Sequence, residues 1–417
     1  MNRPEHVVII GAGITGALTA HALLEAGVAV TVLEAREKGS GSSSRSAACI
    51  RQQFSTPATV RAMVHSVRYF ETFAERMGSA PGDGQALVQN GYLFLHSKSG
   101  EGPERWAKAQ STVAMQQTNG LSDVETLSPG ALAERFPHVD SSALSGATFC
   151  PTDGFLHPDV VYMEGFRRVE ELGGILRQNC PVMDGVFDAS GRLSAVRTAA
   201  GEEFAADIFI NATNAWAPRL SKRLGGVELP INPLKRYLYF VHRGGNVTGD
   251  ELNKWPMTIT PSRAYCRPEN ADQLLAGWAH AAEPEPEFAW TDQDLIEPPF
   301  FHKSGLDNYG FQLWMQLAEA LPAVGEFSGI EATTAGYYAV TPDHNPILGF
   351  DPKQPALMHA AGFSGHGAMM GPFTASVTTQ MALAGETLPL VDIDGSTVDI
   401  SDLLVGRAFA KGEGMVI

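Results

Sequence analysis

Apolar positions along this chain follow two rhythms, and its first 34 residues show both. In HVVIIGAGITGALTAHALLEAGVAVTVLE (6–34) the unbroken run Val7–Ile10 ends on a glycine turn, apolar residues then recur at helical spacing, and a second β-branched run closes at Leu33. An unbroken run reads as a buried strand and the spaced pattern as a helix, so the segment predicts one βαβ unit. Past the Ser/Gly-rich loop 39–46, Thr56-Pro57 is a helix-start signal. Val60, Met63, Val64, Val67 and Phe70 keep helical spacing and predict a long helix over 57–77.

Downstream the rhythms mix. GYLFL (91–95), SGATFC (145–150), LSAVRTA (193–199), DIFINAT (207–213), RYLYFVH (236–242) and QLLAGWAH (273–280) read as strands, 308–321 as a helix stopped by Pro322, and EPEPEF (283–288) as a loop. A last apolar run, ALMHAAGF (356–363), meets a Gly-rich turn at 362–371 and a helix over 372–384. The expected organisation is interleaved: nucleotide-fold pieces at 1–80, 145–225 and 325–385, a second domain from 81–144 and 226–324, and a C-terminal tail over 386–417.

Composition narrows the partners. Hydrophobic residues at 44% and charged ones at 18% are globular values. Thirty basic against 46 acidic residues leave a net charge of −16, which repels phosphate backbones and anionic lipid and argues against nucleic acid or a membrane surface. No apolar stretch of about 20 residues predicts a membrane span. Four scattered cysteines without a C-x-x-C pair indicate neither a metal site nor a disulfide framework, and a reducing cytoplasm is the expected compartment.

The first chemistry is Gly11, Gly13 and Gly16, a G-x-G-x-x-G between strand and helix. The first glycine makes the turn, the second admits a pyrophosphate to the backbone, and the third brings helix against strand. Glu34, at the end of the second strand, can accept from both ribose hydroxyls and would repel a 2′-phosphate, which argues against NADP. FAD and NAD share this geometry, so the motif leaves both open.

Four later blocks, spread in order over nearly the whole chain, decide between them. RSAACIRQQFSTP (45–57), NATNAWA (211–217), AGYYAVTPDHNPILG (335–349) and AAGFSGHGAMMGP (360–372) resemble the FAD-dependent D-amino-acid oxidase and sarcosine oxidase superfamily. The likeness is strongest to its sarcosine oxidase β-subunit-like and amino-acid dehydrogenase-like members. It implies an α/β plus α+β fold, a Rossmann-type FAD-binding domain interleaved with a substrate domain built on a large mixed β-sheet. It also implies oxidation of an amine or an N-substituted or cyclic amino acid. Hydride passes from the C–H next to nitrogen to flavin N5, and the imine hydrolyses.

Carried over residue by residue, Gly11, Gly13, Ile14, Thr15, Gly16, Glu34, Ala35 and Arg36 hold the ADP half. Ser44, Arg45, Ser46, Ala47, Ala48 and Ile50 follow the pyrophosphate and flavin, Val182 meets the adenine, and Ala212, Thr213 and Trp216 the linking region. Gly336 and the turn Phe363, Ser364, Gly365, His366, Gly367, Ala368 and Met369 border the isoalloxazine. That turn precedes a helix, so free N–H groups and the helix dipole can face the charge that reduction places on the ring.

Arg51, Tyr338, His366 and Met369 are the expected catalytic group. Arg51 offers a bidentate fork to a substrate carboxylate, the plain alternative being a surface salt bridge. Tyr337 alternates with Tyr338 along a strand, so one of the two belongs to the core. Tyr265, Arg267 and Trp278 line the pocket or pack beside it, and Asp343 and His344 fit a Thr-Pro-Asp turn. Cys266 is a redox candidate with nothing near it in sequence to lower its pKa.

Gly336 stands where the monomeric sarcosine oxidases carry the cysteine bonded to flavin, which implies non-covalent FAD. Met369 stands where they carry a lysine, which removes one carboxylate-gripping cation. A D-amino-acid dehydrogenase passing electrons to a quinone or protein partner, and a flavin subunit active only in a heteromeric complex, are the competing readings.

Overall fold

Strand β1 (His6–Ile10) needs no polar alternation because both its faces are covered. It lies inside a six-stranded sheet ordered Ile347–Phe350, Leu357–Ala361, Ile208–Asn211, β1, β2 (Ala29–Leu33), Ile175–Arg177. All neighbours pair in parallel except Ile347–Phe350, which runs antiparallel on Leu357–Ala361. The computed structural model describes residues 3–80, 82–279, 309–410 and 412–415.

Helix α1 (Ile14–Glu25) returns across this sheet and is nearly enclosed, with Ile14–His21 and Leu23 buried. Helix Gly371–Ala384 packs on it so closely that a Cβ at Gly371 would stand 2.9 Å from the Ile14 and Leu18 side chains. Val7, Ile9, Leu18, Leu23, Phe166 and Phe373 are fully or almost fully buried in this core, each contributing about 1.5–3 kcal/mol of apolar burial.

An eight-stranded mixed sheet forms the second layer, ordered Gly329–Val340, Asn232–His242, Gln273–Trp278, Ala264–Asn270, Met257–Ile259, Tyr92–Ser97, Leu144–Cys150, Glu125–Leu127. Two strands fall here that the expected boundaries gave to the nucleotide fold. Gly329–Val340 pairs along the full length of Asn232–His242, and Leu144–Cys150 pairs with Tyr92–Ser97. Neither pairing is local, so apolar periodicity could not assign them. LSAVRTA joins a small three-stranded sheet with Val182–Phe187 and Glu203–Ala205.

Helix α2 (Pro57–Glu71) starts where expected, the Thr56 hydroxyl accepting from the Thr59 N–H. It ends earlier than residue 77. The Thr72 hydroxyl donates to the Arg68 and Tyr69 carbonyls, and Phe73–Arg76 is a separate turn. The expected helix 308–321 is Tyr309–Ala320, while EPEPEF, His280 and residue 308 lie outside the described residues.

Candidate active site

A cavity of ≈290 Å³ runs between the two large sheets, from Glu34–Arg36 past the glycine turn to Tyr338, Gly365, Gly367 and Ala368. Its first wall is the β1–α1 turn. Gly11, at φ 112°, donates its N–H to the Leu33 carbonyl at 2.8 Å, and a Cβ there would stand 2.8 Å from the Ala212 carbonyl oxygen. A Cβ at Gly16 would meet the Gly11 carbonyl at 2.0 Å, so the third glycine closes helix on strand and does not itself line the cavity. Gly13 opens α1 beside Ser43, whose Oγ accepts from the Ile14 N–H at 3.1 Å.

The Glu34 carboxylate accepts from Ala12 N–H at 2.7 Å and from Arg36 N–H at 3.0 Å, with the Ala35 N–H also bonding to it, and it faces the cavity where a ribose would lie. Burial raises its pKa and those hydrogen bonds oppose the rise. Ile14, Thr15, Ala35, Arg36, Val182, Ala212, Thr213 and Trp216 line the same cavity. Asn211 accepts from the Thr213 hydroxyl at 2.7 Å, and Asn214 accepts from Gly362 N–H at 3.2 Å, tying the linking loop to the Gly-rich turn.

The segment 39–50 forms the next wall. Ser42 donates to the Tyr337 carbonyl at 2.9 Å, Ala48 takes a left-handed φ of 47° with its N–H on the Ser46 hydroxyl, and Arg267 donates from Nε to the Ala47 carbonyl at 2.8 Å. Arg267 thus supports the loop from behind, its guanidinium 4.2 Å from the Phe155 ring centroid, and does not line the cavity. Trp278 donates to the Ser262 carbonyl and lies off the cavity too. Arg45, Ser46 and Ala47 line it; Ser44 and Ile50 do not.

Beyond Ala47 a smaller chamber of ≈50 Å³ opens, sharing Ser46, Tyr265, Tyr338, Gly365 and Ala368 with the main cavity. Arg51, Tyr338, His366 and Met369 all reach it, as do Ala48 and Ser364. Arg51 is 1% exposed, which rules out the surface salt bridge. It donates to the Gln53 and Met415 carbonyls, its Nη2 lies 3.4 Å from His366 Nε2, and its guanidinium stacks 3.9 Å from the Phe54 ring centroid. Among the described residues it makes no ion pair, and its Nε has no partner.

Burial, then Arg51, then His344 push the His366 pKa well down, so the imidazole is neutral. Tyr338 faces the chamber with its pKa raised by burial, while Tyr337 packs edge-on against Trp216 at 6.1 Å. Burial pushes the Cys266 thiol up to about 12, so it carries no thiolate at neutral pH. Asp343 is held below the usual carboxylate range by Arg407, against the effect of burial, and His344 follows it in the turn at φ 58°.

The Gly-rich turn closes the cavity. Gly365, at φ 92°, lies against Tyr338, where a Cβ would come 2.5 Å from the ring. The N–H groups of Gly365, Gly367 and Ala368 make no hydrogen bond among the described residues and border the cavity, donors suited to a reduced ring. Arg236 and Leu238, from the strand Asn232–His242, also line it and went unnoticed in sequence. The glycine cradle, the ribose-facing carboxylate and these donors fit an FAD.

Comparison with known proteins agrees. The chain is 26% identical to FAD-dependent oxidoreductase domain-containing protein 1 of Xenopus laevis, over 91% of this chain and 79% of that one. It is 24% identical to the glycine oxidase of Geobacillus kaustophilus, over 91% and 93%. It is 25% identical to the mitochondrial sarcosine dehydrogenase of Homo sapiens over 88% of its length, spanning 38% of that protein. The solved structure of L-proline dehydrogenase from P. horikoshii superposes with a TM-score of 0.79 at 27% identity, covering 95% of this chain and 96% of that one. The model of the FAD dependent oxidoreductase family, DAO, matches residues 6–381, and the chain belongs to that family.

Proposed function

We propose that this enzyme oxidises an N-substituted or cyclic amino acid at the carbon next to nitrogen, with the substrate carboxylate on Arg51. One observation carries the reading: a guanidinium buried in the small chamber that adjoins the cofactor cavity, with no ion pair to a carboxylate among the described residues. A buried charge left unpaired is costly, and a substrate carboxylate would supply the missing counter-charge in a geometry that suits the planar fork. The names of the relatives, glycine oxidase, sarcosine dehydrogenase and L-proline dehydrogenase, support small amino acids as the substrate class.

FAD, when bound, supplies the two-electron acceptor for the C–H bond. The chain's part is to orient that bond and exclude water. His366, kept neutral, accepts at Nε2 without adding a second cation beside Arg51. Tyr338 narrows the chamber, and Met369 offers an apolar wall. Non-covalent attachment is supported at Gly336, where a Cβ would stand 2.9 Å from the Arg45 carbonyl oxygen and leave no room for a linking side chain. The four free cysteines support a reducing compartment, the cytoplasm being the expected one.

The test is anaerobic titration of the purified holoprotein with L-proline, sarcosine, glycine and D-amino acids. Bleaching of the flavin by an N-substituted or cyclic member is the expected result, and no bleaching by any carboxylated amine would overturn it. Re-oxidation by air, by a quinone, or only in the presence of a partner chain distinguishes oxidase, dehydrogenase and heteromeric subunit.

A further inference from the structure

A second cavity, ≈750 Å³, shares no lining residue with the cofactor cavity or the small chamber and meets Arg51 through Met415. Its rim carries Lys108 and Arg263, both exposed and neither in an ion pair among the described residues. Arg105, also on the rim, is paired with Glu101 at 2.7 Å. Its inner wall includes Gln116 and Met415. Met415 links this cavity to Arg51: it lines the cavity while its carbonyl accepts from Arg51 Nη2, and Gln116 Nε2 sits 3.9 Å from its sulfur.

Glu413, 3% exposed, pins the segment in place. Its Oε1 accepts from the Ser55 N–H at 2.9 Å, from the Ser55 hydroxyl, and from the Met415 N–H at 2.9 Å, while Gly414 N–H donates to Ser55 Oγ at 2.8 Å. The wall nevertheless holds buried polar atoms with no partner, Arg51 Nε and Gln116 Oε1, in side chains each 1% exposed. Of the two, Arg51 Nε is a buried donor that an incoming carboxylate would satisfy.

We propose that the ≈750 Å³ cavity is an antechamber for the carboxylate-bearing substrate and that the C-terminal segment 413–415 is its gate. The Met415 carbonyl occupies the guanidinium donor that the substrate carboxylate takes, so carboxylate arrival and displacement of the segment are one exchange. Lys108 and Arg263 draw the carboxylate end inward first, on a chain whose net charge of −16 otherwise repels anions. The inference rests on Arg51 as the carboxylate site.

A cross-link tests the gate directly. A Cβ at Gly414 would lie 3.9 Å from the Ser55 Cβ, within disulfide range, so Ser55→Cys with Gly414→Cys can lock the segment shut. Binding of benzoate, a monoanionic probe, is followed in the holoprotein by stopped-flow flavin absorbance. Association in the oxidised variant is expected to be at least about tenfold slower than after reduction, with FAD content unchanged, and Lys108→Glu with Arg263→Glu to slow it about three- to tenfold at low salt. Equal rates in the oxidised and reduced forms would overturn the gate, and salt-independent wild-type rates the antechamber. If Arg51→Ala still binds benzoate, the Arg51 reading fails instead, so the failures are separable.

Discussion

Replacing Arg51 by glutamine removes the cation while keeping a hydrogen-bonding side chain in the same buried place. In the free protein the guanidinium already donates to the Gln53 and Met415 carbonyls. A substrate carboxylate therefore exchanges one of those bonds and gains the unpartnered Nε. Each hydrogen bond to a charged group is worth about 1.5–3 kcal/mol, and the exchange of a bond already made brings a bidentate contact down to a net of about 2–3 kcal/mol. Affinity for L-proline in Arg51→Gln should then fall about 30- to 150-fold. L-Prolinamide, with the same ring and amine but no carboxylate, should lose only about threefold, because it has no charge to pair. FAD content should stay near wild type, since Arg51 lines the small chamber and not the cofactor cavity. The assay is anaerobic flavin titration with the two ligands, alongside the ratio of flavin to protein. Equal losses for proline and prolinamide, or a parallel loss of FAD, would refute the carboxylate role.

Three further outcomes follow from the site. Gly11→Ala places a methyl 2.8 Å from the Ala212 carbonyl oxygen at φ 112°, and should cut FAD affinity by about tenfold or more, read as flavin lost on dilution; full retention would contradict the cradle. Gly336→Cys should not create covalent flavin, because its Cβ would collide with the Arg45 backbone; acid precipitation should leave all flavin in the supernatant, and yellow pellet would sink the prediction. Asp153 is raised from 3.8 to about 6, chiefly by burial and against hydrogen bonds from Gln53 and Gln52. Folding thus favours its protonated form, so stability from this group is present below pH about 4, declines as pH rises to about 6, and at neutral pH is lower by about 3 kcal/mol. Urea midpoints should show that decline in wild type and not in Asp153→Asn; identical pH slopes in the two would count against it.

What could be read from sequence was what lies close in sequence. Gly11, Gly13, Gly16 and Glu34 fall within one βαβ unit, so turn chemistry and hydrophobic rhythm together predict both the fold and a dinucleotide ligand, with the choice of FAD left to the later blocks. The Gly-rich turn 362–371 was equally legible, because left-handed residues and the helix that follows are local facts. Arg236 was not, since RYLYFVH reports only a strand. Its approach to the cavity depends on pairing with Gly329–Val340, nearly a hundred residues away. The same limit explains the misplaced strands: apolar alternation fixes which face is buried, and not which of two sheets the strand joins.

Arg51 lies at the boundary between the two cases. Its residue type and its place after a cofactor loop were visible, yet whether it was a surface cation or a buried one turned on partners from both ends of the chain. Phe54 stacks on it from three residues away, His366 approaches from the Gly-rich turn, and Met415 caps it from the C-terminal segment. A surface arginine is solvated and its pairing is worth little, whereas this one is desolvated and makes no direct ion pair among the described residues. That combination is what the proposed carboxylate role rests on, and an ordinary basic loop lacks it. In the proposed gate, the tail, which by sequence alone carried no chemistry, would also govern how the site is reached.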